Sequence, residues 1–239
     1  MEPGKPSRNC ARRPLMKIGI IGAGHIGGVM AGLLTAAGHE VMLSFSRDPA
    51  RLRALAAELG DRATVGEVAE AADFGEVVVL SVPWRLVPDV LRQAGPLAGK
   101  VVIDTTNQFG AGGVERLPDG RTAAQVNQER LPQARLVKSF NTLTSAFLGS
   151  QAHREPAERQ VVLFLSGDDD AAKRTVADLI VDCGYAPADL GGLADAAPME
   201  PPRRPGAVFG EEYRPAEAQA LVEALRGGRP VPPTPTYDR

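Results

Sequence analysis

Short apolar runs alternate with stretches of helical periodicity along most of the chain. Ile18 to Ile21 is continuously apolar, Val29, Leu33 and Leu34 then share one helical stripe, and a second apolar run ends near Phe45. Pro49 to Leu59 is amphipathic and stops at Gly60, and a short helix is predicted over Val65 to Ala72. Further apolar runs lie at Val77 to Val82, Val101 to Asp104, Leu136 to Phe140, Val161 to Leu165 and Tyr185 to Leu190, with helical patterns at Leu86 to Ala94 and Ala171 to Val181. Continuous apolar strands separated by amphipathic helices predict an α/β fold, a doubly wound, mostly parallel Rossmann-type sheet covered on both faces. The rhythm breaks after Gly192, where Pro198, Pro201, Pro202 and Pro205 cluster and only Pro215 to Leu225 reads as helix. The predicted organisation is a disordered extension over 1–15, one nucleotide-binding domain over 16–192 and a small helical, proline-rich segment over 193–239, its last eleven residues frayed.

Gly22, Gly24 and Gly27 stand in G-x-G-x-x-G spacing, directly after the first apolar run and before the first helical stripe. There the glycines have separate tasks: a tight turn, room for a pyrophosphate beside the backbone, and close helix–strand packing. The helix N-terminus adds free N–H groups and a partial positive charge, so Gly22, Gly24, His25, Ile26 and Gly27 form a dinucleotide-binding candidate. His25 is read as positioning the diphosphate rather than as a base. An NAD site usually carries Asp or Glu about 20 residues further on, accepting from the ribose 2′-OH. Met42 to Arg47 contains no acid; it offers Ser44, Ser46 and Arg47, donors suited to a 2′-phosphate. Asp48-Pro49 reads as a helix cap followed by proline in the first turn. The expected cofactor is therefore NADP.

The chain has 239 residues, 44% apolar, with 27 basic against 29 acidic side chains. That suffices for one buried core plus an appendage, and its balanced charge without a basic stripe argues against nucleic acid as a partner. No run of 18 apolar residues suggests a membrane span. Arg12-Arg13 imitates a twin-arginine signal, but cleavage after the following stretch would delete the glycine turn, so a cytoplasmic location is expected. Cys10 and Cys183 lie far apart, as suits a reducing compartment without a disulfide framework. A small-molecule substrate is the expected partner, and the short, open C-terminal segment suggests a homodimer.

In a doubly wound sheet, ligands gather outside the carboxyl ends of the strands. Those ends carry Ser81-Val82-Pro83-Trp84, Asp104-Thr105-Thr106-Asn107 and Lys138-Ser139-Phe140-Asn141-Thr142. Ser81 to Pro83 would pass beside the nicotinamide ribose, and Trp84 either stacks on a flat ring or caps a core. Thr106 and Asn107 are placed to bind the nicotinamide amide, while Asp104 reads as a turn cap. Lys138 stands inside an apolar run, where it would either bind an anion or move a proton in the cleft, or snorkel from the sheet edge. Gly167-Asp-Asp-Asp170 joins strand to helix, so capping is preferred to metal binding.

With these residues assembled, the chain resembles the NADPH-dependent reductases of the deazaflavin coenzyme F420, the F420-dependent NADP oxidoreductases, with a catalytic NADP-binding domain like that of pyrroline-5-carboxylate reductases. IGIIGAGHIG (Ile18 to Gly27), GHEV followed by SFSR (Gly38 to Arg47), VVVLSVPW (Val77 to Trp84), KVVIDTTN (Lys100 to Asn107), VKSFNTL (Val137 to Leu143) and SGDDDAAK (Ser166 to Lys173) carry the resemblance, over about 16–192. It implies direct hydride transfer between nicotinamide C4 and the deazaflavin ring, which needs stacking and orientation more than an acid or base. Thr106, Asn107, Lys138 and Asn141 are the candidate catalytic residues. Two regions depart from the family pattern: Ala194 to Gly210, proline-rich where a small helical segment would help cover the deazaflavin, and the loop Gly110 to Val126. The alternatives are reduction of a flavin, ferric chelate, carbonyl or imine, or an NADP-binding sensor without turnover. A dehydrogenase with a second, all-helical domain is disfavoured, because only the stretch from 193 to 239 follows Gly192.

Overall fold

The computed structural model describes residues 14–237. The lead-in expected over 1–15 thus lies outside the described residues except for Pro14 and Leu15, and so does Cys10. In chain order the elements are β1 (Lys17–Ile21), α1 (His25–Ala36), β2 (Glu40–Ser44), α2 (Pro49–Leu59), β3 (Ala63–Val65), α3 (Val68–Phe74), β4 (Val77–Leu80), α4 (Val87–Ala94) and β5 (Val101–Asp104). A hairpin of β6 (Phe109–Gly110) and β7 (Gly113–Val114) follows, then α5 (Ala123–Arg130), β8 (Arg135–Ser139) and α6 (Ser145–Ser150). The chain closes with β9 (Val162–Gly167), α7 (Asp170–Asp182), β10 (Ala186–Asp189) and α8 (Pro215–Arg226). Eight strands form one sheet in the order β10-β9-β8-β5-β4-β1-β2-β3.

Neighbours from β3 to β8 are parallel. Alternate residues of each strand fill opposite cores, which is why the strands read as unbroken apolar runs. Ile18, Ile20, Leu43, Val79 and Ile103 pack with α1 and α7 on one face; Ile21, Val78, Leu80 and Val102 pack with α3 and α4 on the other. β9 is antiparallel to β8, and β10 is parallel to β9. A parallel neighbour needs a crossover of a dozen or more residues, usually a helix that returns the chain to the starting edge. Between β8 and β9 lie the six-residue α6 and a 3-10 turn, Ala157–Arg159, and no helix long enough to return the chain to the starting edge, so β9 runs back.

Two local readings are refined and a third holds. The helix expected from Val65 starts at Val68, because Glu67 and Glu70 close a capping box and release Ala63–Val65 to pair as edge strand β3. The loop Gly110 to Val126 contains the hairpin and the start of α5, capped by Thr122. The aspartate run caps: the Asp169 carboxylate accepts from the Ala172 N–H at 2.7 Å.

Residues beyond Gly192 pack onto the sheet. A 3-10 turn, Leu193–Met199, runs back past α5, and the buried Glu200 carboxylate accepts from the N–H groups of Ala123 (2.7 Å) and Ala124 (3.0 Å). Met199, Val208, Tyr213 and Leu221 close a further core over Val162 and Phe164. The described part of the last eleven residues is docked rather than frayed: the Tyr237 hydroxyl accepts from Arg214 N–H at 3.1 Å. Among the described residues, no helix is long and apolar enough to cross a membrane.

Candidate functional site

The glycine turn lies between the ends of β1 and β4. Gly22 has φ +105°, and a Cβ there would stand 2.2 Å from the Ser81 carbonyl oxygen, so turn and close approach both demand glycine. A Cβ on Gly27 would stand 1.9 Å from the Gly22 oxygen, which sets the seat of α1 on the turn. Gly24 differs: a Cβ there meets nothing within 4 Å. It precedes the first turn of α1, which has no side-chain cap and no acidic residue, so its N–H groups remain open to an anion. This geometry fits a dinucleotide pyrophosphate over Gly24, with exposed His25 and half-buried Ile26 beside it.

The β2 end is narrower than its sequence suggests. Ser44 is fully buried, and its hydroxyl donates to the Ile20 carbonyl at 3.1 Å, so its side chain is withdrawn from the cofactor face. Phe45 then takes a left-handed φ of 56° and turns the chain outward. Ser46 bonds locally to Asp48, and Arg47 is exposed. Of the three donors proposed for a 2′-phosphate, Ser46 and Arg47 remain. Beyond β4, Ser81 is half-buried, Val82 buried and Pro83 exposed. Trp84 caps the core instead of offering a stacking face: it is 5% exposed, its indole N–H donates to Glu115 at 3.0 Å, and the Arg130 guanidinium lies 4.6 Å from its ring. Burial lowers the pKa of that guanidinium, against the raising influence of Asp104 and Glu115.

Lys138 fits neither of its expected roles. It is 0% exposed, and its Nζ donates to Asp104 Oδ2 at 3.2 Å and to the Thr106 carbonyl. Asp104, also 0% exposed, accepts from Thr106 N–H (2.9 Å) and Asn127 Nδ2 (3.1 Å). The Thr106 hydroxyl, 3% exposed, accepts from the same Asn127 amide, so it is held below the cleft. A buried charge needs a close partner and further hydrogen bonds, and this network supplies both. Lys138 and Thr106 are therefore supports for the β5–β8 junction.

Asn107 and Asn141 meet across that junction. Asn107 Nδ2 donates to the Asn141 backbone carbonyl, and Asn141 Nδ2 donates to Asn107 Oδ1, both at 3.0 Å. Asn141 Nδ2 also donates to the Met199 carbonyl at 2.7 Å. Both amides are thereby fixed in orientation, since a carbonyl can only accept. Asn141 Oδ1 is left buried without a partner, and so is Gln108 Oε1, whose Nε2 donates to the Pro201 carbonyl at 3.3 Å.

Known proteins resemble the chain at the level of family and fold. The family model described as NADP oxidoreductase, coenzyme F420-dependent, matches residues 17–108, from β1 through the β5 end. A candidate F420-dependent NADP-reductase from Arthrobacter sp. FB24 superposes with a TM-score of 0.66 at 28% identity, covering 76% of this chain and 87% of that one. The segment from β1 through the β5 end thus matches the F420-dependent NADP oxidoreductase domain. A hypothetical protein from Sinorhizobium meliloti is similar over 84% of this chain and 96% of that one, with TM-score 0.74 and 32% identity. Metalloreductase STEAP3 of Rattus norvegicus is 32% identical over 184 residues, 77% of this chain. The chain spans 36% of that relative and 52% of a glycerol-3-phosphate dehydrogenase [NAD(P)+] from Syntrophotalea carbinolica, to which it is 33% identical.

The contacts at the site that the sequence pattern leaves unmarked come from Gln108, Glu115, Asn127, Arg130 and the carbonyls of Met199 and Pro201. Gln108 directly follows the strand-end motif and was within reach of the same reasoning. The others depend on α5 and on the returning C-terminal segment, and nothing local in the sequence marks those contacts.

Proposed function

We propose that this protein transfers a hydride between NADPH and a deazaflavin of the coenzyme F420 type. The observation that carries the reading is the chemistry beside the glycine turn: the ionisable pair beneath the strand ends, Asp104 and Lys138, is fully buried and mutually paired, and carboxamides stand above it. Hydride transfer between two flat heterocycles needs stacking and orientation and no acid or base, so a cleft of amides suits it. NADP would lie with its pyrophosphate over Gly24, its 2′-phosphate at Ser46 and Arg47, and its nicotinamide near Ser81, Asn107 and Asn141. The buried, unpartnered oxygens of Asn141 and Gln108 favour a ring system with N–H donors, because an unmet buried acceptor costs about 1–3 kcal/mol.

The test is a panel of acceptors incubated with NADPH while the nicotinamide absorbance band is followed. Turnover with the deazaflavin and not with simple carbonyls is expected; turnover with carbonyls alone would overturn the reading. A second reading, reduction of a flavin or ferric chelate, draws on the similarity to the metalloreductase from Rattus norvegicus. Turnover with those acceptors, and none with the deazaflavin, would favour it. NADPH binding without any turnover would favour a sensor.

A further inference from the structure

A cavity of about 580 Å³ opens between the segment after β8, the loop before β9 and the docked C-terminal tail. It adjoins the amide cluster, because Gly210 in its wall donates its N–H to the Thr142 carbonyl, one residue past Asn141, at 2.7 Å. Its walls carry Arg154, Arg159, Arg203 and Arg214 against Glu211 and Glu212. The two carboxylates are already engaged: Glu212 accepts from Arg154 at 2.7 Å, and Glu211 accepts from Arg203 Nε at 2.9 Å. Arg214 Nε lies 3.6 Å from Glu212, within ion-pair range but beyond hydrogen-bond distance, and is buried without a hydrogen-bond partner. Its guanidinium plane is held 3.7 Å from the Tyr237 ring centroid. Arg159 has no ion-pair partner among the described residues.

We propose that this cavity is a binding site for a multiply charged anion bearing phosphate or carboxylate groups. Four guanidinium groups against two engaged carboxylates leave an excess of positive charge in a partly enclosed space, where field lines concentrate. Arginine presents a rigid fork of donors matched to phosphate and carboxylate oxygens, and an unmet buried N–H is satisfied by such an oxygen. Tyr237 holds the Arg214 guanidinium by its ring face, which limits the ordering the ligand must impose. The anion has two possible sources, a charged substituent of the hydride acceptor or a separate small anion, and only the first rests on the proposed hydride transfer.

Inorganic pyrophosphate titrated calorimetrically into the full chain, with NADP+ saturating so that the glycine turn is filled, tests the site. Saturable binding is expected, weakened about tenfold in Arg159→Gln with Arg203→Gln, while NADPH affinity stays within about twofold. Both side chains point from exposed positions, and the thermal midpoint checks that the double variant folds. A rise in the acceptor KM with pyrophosphate, at constant kcat, assigns the site to the acceptor's own substituent; an unchanged KM assigns it to a separate anion. No saturable heat, or equal affinity in wild type and double variant, overturns the proposal. The binding arm needs no turnover, so its failure is distinguishable from failure of the hydride-transfer reading.

Discussion

At the ends of β2 and β8 the chain makes the same unusual move in two different settings. Phe45 and Phe140 both adopt left-handed conformations, φ 56° and 58°, and each delivers the chain to a polar residue at the cleft. An aromatic side chain disfavours that region, at a cost of order 1–3 kcal/mol, and holds it only where its surroundings insist. What insists differs. Phe45 is half-buried and leads to Ser46, which bonds locally to Asp48, and to exposed Arg47. Phe140 is 2% exposed and leads to Asn141, whose amide is fixed by groups 34 and 58 residues away in sequence. The β2 end, or cofactor side, proposed to face the cofactor's 2′-phosphate, is open and locally built; the β8 end, or acceptor side, proposed to face the acceptor, is closed and cross-linked by distant chain. Substitutions on the two sides should therefore fail in different ways.

The largest effect is expected beneath the acceptor side. Lys138→Ala leaves Asp104 as an uncompensated buried charge, which should cost about 3–5 kcal/mol of stability. Denaturant unfolding reads this directly. Lys138→Met together with Asp104→Leu removes both charges and should recover much of the loss, because apolar replacement of a whole buried pair is often neutral. Undiminished stability in Lys138→Ala, with turnover lost, would instead return Lys138 to a chemical role. On the cofactor side, Arg47→Ala should leave stability unchanged, since the side chain is exposed. NADPH binding should weaken by about 1.5–3 kcal/mol and NADH binding hardly at all. Equal losses for both cofactors in fluorescence titrations would refute the 2′-phosphate assignment.

The same contrast explains what the sequence disclosed. Gly22, Gly24, Gly27 and Arg47 fall within one strand–turn–helix–strand unit, so their spacing carries their geometry. β9 could be recognised as a strand but not as a reversed one, because direction depends on what α6 does in space. Lys138 stood out as a charge in an apolar run, yet its partner Asp104 comes from β5 and was legible only as a turn cap. Ser44 looked like a cofactor donor until pairing of β1 with β2 put its hydroxyl against Ile20. The proline cluster after Gly192 read as a break in the pattern; in space its carbonyls orient Asn141 and Gln108. Local chemistry was readable, and long-range pairing was not.

A smaller effect should separate pyrophosphate contact from packing inside the glycine turn. Gly24→Ala places a methyl group in open space, so stability should change by less than about 1 kcal/mol. The same methyl occupies room needed by the pyrophosphate, and NADPH affinity should fall about tenfold. Gly27→Ala is the contrasting variant: its methyl meets the Gly22 carbonyl oxygen, so thermal stability and affinity should fall together. Parallel losses of stability in both variants would mean that Gly24 serves packing rather than a ligand.

The smallest change is expected at the two phenylalanines' own difference, read through Phe45→Asn. Asparagine enters the left-handed region far more readily than an aromatic residue, so the backbone strain at this position should be relieved. The substitution also removes a half-buried ring that packs at the edge of the α3–α4 core, so apolar burial is lost. The two effects oppose each other and are of similar size, and the net change should stay within about 1 kcal/mol. Phe140→Asn has the same backbone gain, but its ring belongs to the fully buried α1–α7 core, where deleting a large aromatic side chain costs about 3–5 kcal/mol. Chemical denaturation of the two variants side by side makes the comparison. A large loss at Phe45 would mean that the cofactor side depends on tertiary packing as heavily as the acceptor side, and that Arg47 is positioned by the core rather than by its own short turn.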